Sequence, residues 1–150
     1  MKKILVLNGP NVNMIGKREP ELYGSTTMED INAMISEKAQ KLGVEVDFFQ
    51  SNSIGTMIDK IQSCLGNTDG IIINPGGYGH YAIALLDAFN SVQIPTIEVH
   101  ISNTHKREEF RHHSVLSAYA VGTISGMGYE GYFYALDKLA VCKHSAGLFQ

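Results

Sequence analysis

The chain has 150 residues, 44% of them hydrophobic, enough for one compact domain with a real core. Charged residues make up 18% and the formal net charge is −3, so neither a broad basic face for nucleic acid nor an acidic disordered tail is expected. The start, MKKILVLNGP, has only four apolar residues before Asn8, too few for a secretory signal or a membrane span, and Cys64 and Cys142 match no metal spacing, so free thiols in a cytoplasmic protein are expected.

Residues 2–8, KKILVLN, form a short apolar run that stops at Asn-Gly-Pro and reads as a first strand. GKREPELYG (16–24) follows. It lies between two glycines, holds a proline and no apolar run, and reads as a loop in which Arg18 precedes Tyr23. Residues 27–42 place Met28, Ile31, Met34, Ile35, Ala39 and Leu42 at spacings of three and four, the stripe of an amphipathic helix. Thr27 with Asp30 resembles a capping box at its start. VEVDFF (44–49) is a second strand, and Ile54, Met57, Ile58, Ile61 and Leu65 stripe a second helix over 54–65. DGIIINPGG (69–77) carries a third strand, with a helix over 80–92 behind it. IPTIEVHI (94–101) is a fourth strand, SAYAVGTIS (117–125) a weaker fifth, and 129–142 a last helix.

Continuous apolar runs of this length suit strands buried on both faces, and their alternation with helices predicts a parallel sheet covered on both sides. Five strands in 150 residues point to a flavodoxin-like, doubly wound α/β sheet of order 2-1-3-4-5 in three α/β/α layers. No repeat, low-complexity tract or linker divides the chain, so 1–150 reads as a single domain.

Ligands of such sheets bind beyond the carboxyl ends of the strands, where the strand order reverses. The ends of strands 1, 3 and 4 read LNGPNVN (7–13), INPGGYGH (73–80) and EVHISNTH (98–105), which gathers asparagine, histidine, glycine and glutamate at one rim. Strand alternation puts Glu98, His100 and Ser102 on one side, with Glu98 and His100 about 7 Å apart at the alpha carbons. A carboxylate there can fix the imidazole tautomer and favour imidazolium, which makes a general acid. A satisfied structural Glu–His pair stands beside that reading. The glycines of NPGGYGH serve either a phosphate approach or a strand-to-helix turn, and neither a P-loop nor a G-x-G-x-x-G pattern follows. In HKREEFRHHS (105–114), Arg107 and Arg111 would share a face if the stretch were helical. They are then either part of a solvated charged surface or guanidinium groups aimed at the rim. His112 and His113 are adjacent and would diverge on a helix, so no metal ligation is expected.

Taken together, LNGPNVNMIGKREPELYGSTT, FFQSN, DGIIINPGGYGHYAIALLDA and IEVHISNTHKREEFRHHS resemble type II 3-dehydroquinate dehydratase, in the same order and over about residues 3–136. The resemblance implies a flavodoxin-like fold, a homododecamer built as a tetramer of trimers, and no metal or organic cofactor. It implies dehydration of 3-dehydroquinate to 3-dehydroshikimate by anti elimination through an enolate, in aromatic biosynthesis or quinate breakdown. By the same resemblance Tyr23 is the general base and Arg18 its supporting cation, on a loop over 16–24 that acts as a lid. His100, held by Glu98, is the general acid, and Asn11 stabilises the enolate through water. Asn74, His80, Ile101, Ser102 and Arg111 bind substrate, and Asp87 reaches a neighbouring subunit's site. Ser53, Ile54 and Leu86 depart from the family's common residues, which bears on subunit contacts. The alternative reading is a non-catalytic, flavodoxin-like module that binds a small molecule.

Overall fold

The computed structural model describes residues 1–17 and 24–142. Its sheet has five parallel strands: β1 (Lys3–Asn8), β2 (Glu45–Gln50), β3 (Gly70–Asn74), β4 (Thr96–His100) and β5 (Gly122–Ser125). Their order is β2-β1-β3-β4-β5, the doubly wound order that the strand–helix alternation predicts. Four α-helices cover it: α1 (Met28–Leu42), α2 (Ile54–Ser63), α3 (Ile83–Val92) and α4 (Glu130–Val141).

Side-chain alternation along the strands divides the core in two. Leu5, Leu7, Ile71 and Ile73 pack with α2 and α3 through Met57, Ile61, Leu85 and Phe89. Ile4, Val6, Ile72, Ile97 and Val99 pack with α1 and α4 through Ile31, Ile35, Tyr132 and Leu136. This is the three-layer arrangement, with two helices on each face. Helix α1 starts where the sequence marks it. Thr27 Oγ1 accepts from Asp30 N (3.2 Å) and Asp30 Oδ2 accepts from Thr27 N (2.9 Å), a complete capping box.

Three expectations need correcting. Both-face burial holds for β3 and β4 but not for the edge strand β2, whose residues are exposed or half-buried. Only the last four residues of 117–125 form a strand. A 3₁₀ turn at Val115–Ala118 precedes it and turns the Tyr119 ring into the core, stacked on Phe89 at 5.8 Å, so sheet pairing begins only when Val121 N reaches Thr96 O. Helix α2 stops at Ser63, which leaves Leu65 in solvent at 64% exposure, and Leu42 at the end of α1 is exposed too.

Candidate active site

The rim where the order reverses is closed by backbone contact. Gly9 N donates to Asn74 O at 2.7 Å, and a Cβ on Gly9 would lie 2.5 Å from the Pro75 carbonyl oxygen. Only glycine lets the chains leaving β1 and β3 touch there. Asn11 follows in the left-handed region (φ 70°), its N–H donating to Asn52 Oδ1 at 3.0 Å.

Beyond these turns lies a cavity of about 700 Å³. The end of β1 contributes Asn11 and Val12, the end of β3 contributes Asn74 and His80, and the end of β4 contributes His100, Ile101 and Ser102. Arg107 and Arg111 line it as well, and among the described residues no Asp or Glu does. Such a lining suits an anion with polar substituents.

Glu98 has no exposed surface. Its Oε2 lies 2.5 Å from His100 Nε2, and its Oε1 accepts from Ser114 Oγ at 2.7 Å. Two donors hold the carboxylate, so it holds His100 with Nε2 carrying a proton and Nδ1 left for the cavity. The His80 ring stacks on His100 at 5.9 Å and 18°, and its Nδ1 donates to the His113 carbonyl at 2.8 Å. A carbonyl only accepts, so that contact fixes the His80 tautomer as well.

A second cluster occupies the other face of the sheet. Tyr132 of α4, fully buried, donates from its hydroxyl to Asn8 Oδ1 (2.7 Å) and accepts from Asn74 Nδ2 (2.9 Å). Asn8 and Asn74 are register partners at the last position of β1 and β3. Burial pushes the Tyr132 phenol far above its ordinary range.

The arginine wall is not helical. Thr104–Lys106 and Glu109–Arg111 are two separate 3₁₀ turns, with Arg107 extended between them. The shared helix face therefore does not exist, and the turns bring both guanidinium groups to the cavity instead. Arg111 Nε donates to Glu108 Oε2 at 3.2 Å, and Arg107 donates weakly to Ser102 Oγ at 3.5 Å. A hydrogen bond from its own backbone N–H, then one from Arg111, hold the Glu108 carboxyl below the usual carboxylate range. His112 Nε2 donates to the Arg107 carbonyl (3.1 Å) and stacks on His105 at 5.3 Å, so these histidines brace the turn. Among the described residues no three His, Cys, Asp or Glu side chains converge as metal ligands.

Of the residues singled out from sequence, Asn11, Asn74, His80, His100, Ile101, Ser102 and Arg111 line this one cavity, with Glu98 directly behind His100. Asp87 does not join them and lies on the exposed side of α3. Arg18 and Tyr23 lie outside the described residues, as does most of the 16–24 loop. Sequence reasoning missed Ser114, Asn8 and Tyr132. Ser114 had one available signal, its position at the end of the HKREEFRHHS stretch ahead of a turn, where a serine caps: its Oγ accepts from Leu116 N at 3.1 Å.

Residues 2–140 match the family model described as dehydroquinase class II. The chain is 53% identical over 139 residues to the 3-dehydroquinate dehydratase of Halothermothrix orenii, covering 93% of this chain and 94% of that one. It is 56% identical over 137 residues to the enzyme of the same name from Actinobacillus pleuropneumoniae serotype 5b, covering 91% and 89%. The crystal structure of type II dehydroquinase from Propionibacterium acnes superimposes with a TM-score of 0.88 at 47% identity, covering 95% of this chain and 98% of that one.

Proposed function

Because the chain belongs to the class II dehydroquinase family, we propose that it is a hydro-lyase that dehydrates 3-dehydroquinate to 3-dehydroshikimate by anti elimination through an enolate. The observation that carries this is the Glu98–His100 pair at a cavity walled by Arg107 and Arg111, where the strand order reverses.

The substrate is a carboxylate with several hydroxyls and a ketone. Arg111, His80, Asn74, Ile101 and Ser102 hold its polar groups. A proton next to a ketone is only weakly acidic, so the enolate formed on its removal needs electrostatic support, which Asn11 gives through a water. Tyr23 takes that proton. A free phenol titrates near 10, and in this reading the Arg18 guanidinium favours the tyrosinate. His100, protonated and oriented by Glu98, gives a proton to the departing hydroxyl, which leaves as water while the enolate electrons form the new double bond. The 16–24 loop closes over the substrate as a lid and excludes bulk water. The whole chain works as one catalytic unit.

Two further properties go with this reading. Asp87, exposed on α3 and away from its own cavity, is suited to complete a neighbour's site in a closed homododecamer, a tetramer of trimers. Among the described residues Cys64 and Cys142 form no disulfide, which suits a cytoplasmic enzyme.

The test is direct. Mixed with 3-dehydroquinate, the protein should raise the ultraviolet absorbance of the conjugated enone product. Borohydride added with substrate should leave that activity intact and add no mass to the protein. No absorbance change would end the catalytic reading in favour of a binding module, and a substrate-sized adduct on a lysine would end the enolate route in favour of a Schiff base.

A further inference from the structure

We infer that Tyr132, a residue of α4 that does not line the cavity, is a positioning residue for the dehydration: it fixes which way the Asn74 carboxamide faces the substrate. The inference rests on the dehydratase reading and assigns Asn74 its orientation.

The argument starts from one backbone group. Gly76 N–H can only donate, and it lies 3.3 Å from the Asn74 side-chain atom that must therefore be the oxygen. The Asn74 nitrogen is then the atom 2.9 Å from the Tyr132 hydroxyl, and it donates. A phenol that accepts there keeps its own proton for its other neighbour, Asn8 Oδ1 at 2.7 Å. Hydrogen bonds thus run one way, from Asn74 to Tyr132 to Asn8. The opposite amide orientation would set the Asn74 NH₂ against the Gly76 N–H, donor facing donor.

Burial makes this polarity firm. Tyr132 is 0% exposed, Asn8 2% and Asn74 6%, so no solvent can replace a partner that turns away. Burial also raises the phenol's pKa, so it stays neutral around neutral pH and the relay keeps its direction there. Asn74 therefore meets the substrate with its carbonyl and one remaining N–H in fixed places. A substrate hydroxyl must match that order of acceptor and donor to bind productively.

A double-substitution cycle with 3-dehydroquinate tests this. Tyr132→Phe keeps the ring and removes the relay, and should lower kcat/KM about tenfold, the effect of one misplaced hydrogen bond. In an Asn74→Ala background the same change should cost nothing further, because the group it positions is gone. Losses that multiply in the double variant would make Tyr132 a structural residue only and overturn the inference. If Tyr132→Phe does not fold, Asn8→Leu serves: it keeps Tyr132 and Asn74 but removes the terminal acceptor. It should lower kcat/KM in the native background and not in Asn74→Ala, and unchanged kcat/KM in folded Asn8→Leu would overturn the relay. A native chain that does not turn over 3-dehydroquinate would defeat the activity itself, a separate outcome from additive losses in an active enzyme.

Discussion

Two polar clusters stand at the same rim of the sheet, on opposite faces, and work by different physics. Glu98, His100 and Ser114 lie on the side away from Ile97 and Val99, which join the α1/α4 core. Asn8, Asn74 and Tyr132 lie on the α1/α4 side, with Val6 and Ile72. The first cluster contains a carboxylate and an imidazole, so it can hold and release a proton. The second is neutral in every member and holds only direction. In the proposed reaction, moving a proton and orienting the substrate fall to separate clusters, and the neutral one adds no charge beside the first.

The largest effect should come from the charged cluster. His100→Ala should lower kcat by about 10²- to 10⁴-fold with a much smaller change in KM, because the proton donation proposed for it is a transition-state role. A folded variant with nearly native kcat would erase the distinction between the clusters. Next is the support behind that pair. Ser114→Ala removes one of two donors to a fully buried carboxylate, which should cost about 1.5–3 kcal/mol of stability and reduce kcat several-fold. Denaturant unfolding and steady-state rates on the same sample measure both, and a loss of stability with kcat untouched would confine Ser114 to folding.

The smallest effect concerns two buried phenols, Tyr132 of the neutral cluster and Tyr119 in the opposite core. Burial pushes the Tyr119 phenol to about 12 and Tyr132 higher still. Below pH about 10 both are protonated in the folded and unfolded chains, and their contribution to stability is complete. Above it the unfolded chain releases protons that the folded chain keeps, so stability declines as pH rises, by at most about 1.4 kcal/mol per pH unit for each tyrosine. Melting temperature followed from pH 9 to 11 should fall, and fall less in Tyr132→Phe. An equal fall in both proteins would mean that Tyr132 titrates as an exposed phenol.

The Glu98–His100 pair of the charged cluster was legible in the sequence, whereas Ser114 behind it and the Asn8–Tyr132 link of the neutral cluster were not. Glu98 and His100 are two residues apart on a strand, so alternation alone puts them together. Asn8 and Tyr132 are 124 positions apart and meet only because α4 packs over β3 and β4 and sends the Tyr132 hydroxyl to the end of β1, a contact that no local pattern encodes. In a sequence, Tyr132 is one more apolar position on the α4 stripe. The strand order was readable because alternating strands and helices leave few topologies. The stretch 117–125 misled because Tyr119 satisfies its backbone in a turn and its ring in the core, so an apolar run was not all strand. Arg107 and Arg111 carried a helical spacing, yet Arg107 lies extended between two short turns.

Asn11 is subject to two independent filters. Its backbone sits at φ 70°, a region that side chains other than glycine, asparagine and aspartate enter only at some cost in strain. Its side chain lines the cavity, where the proposed role beside an enolate wants a neutral group that can both donate and accept. Glycine passes the first filter and offers no side chain; aspartate passes it and brings a negative charge against a developing negative charge. Glutamine and serine have suitable polar atoms but the wrong backbone preference. Few residues besides asparagine meet both conditions, so at this position sequence drift has almost no neutral neighbours to pass through.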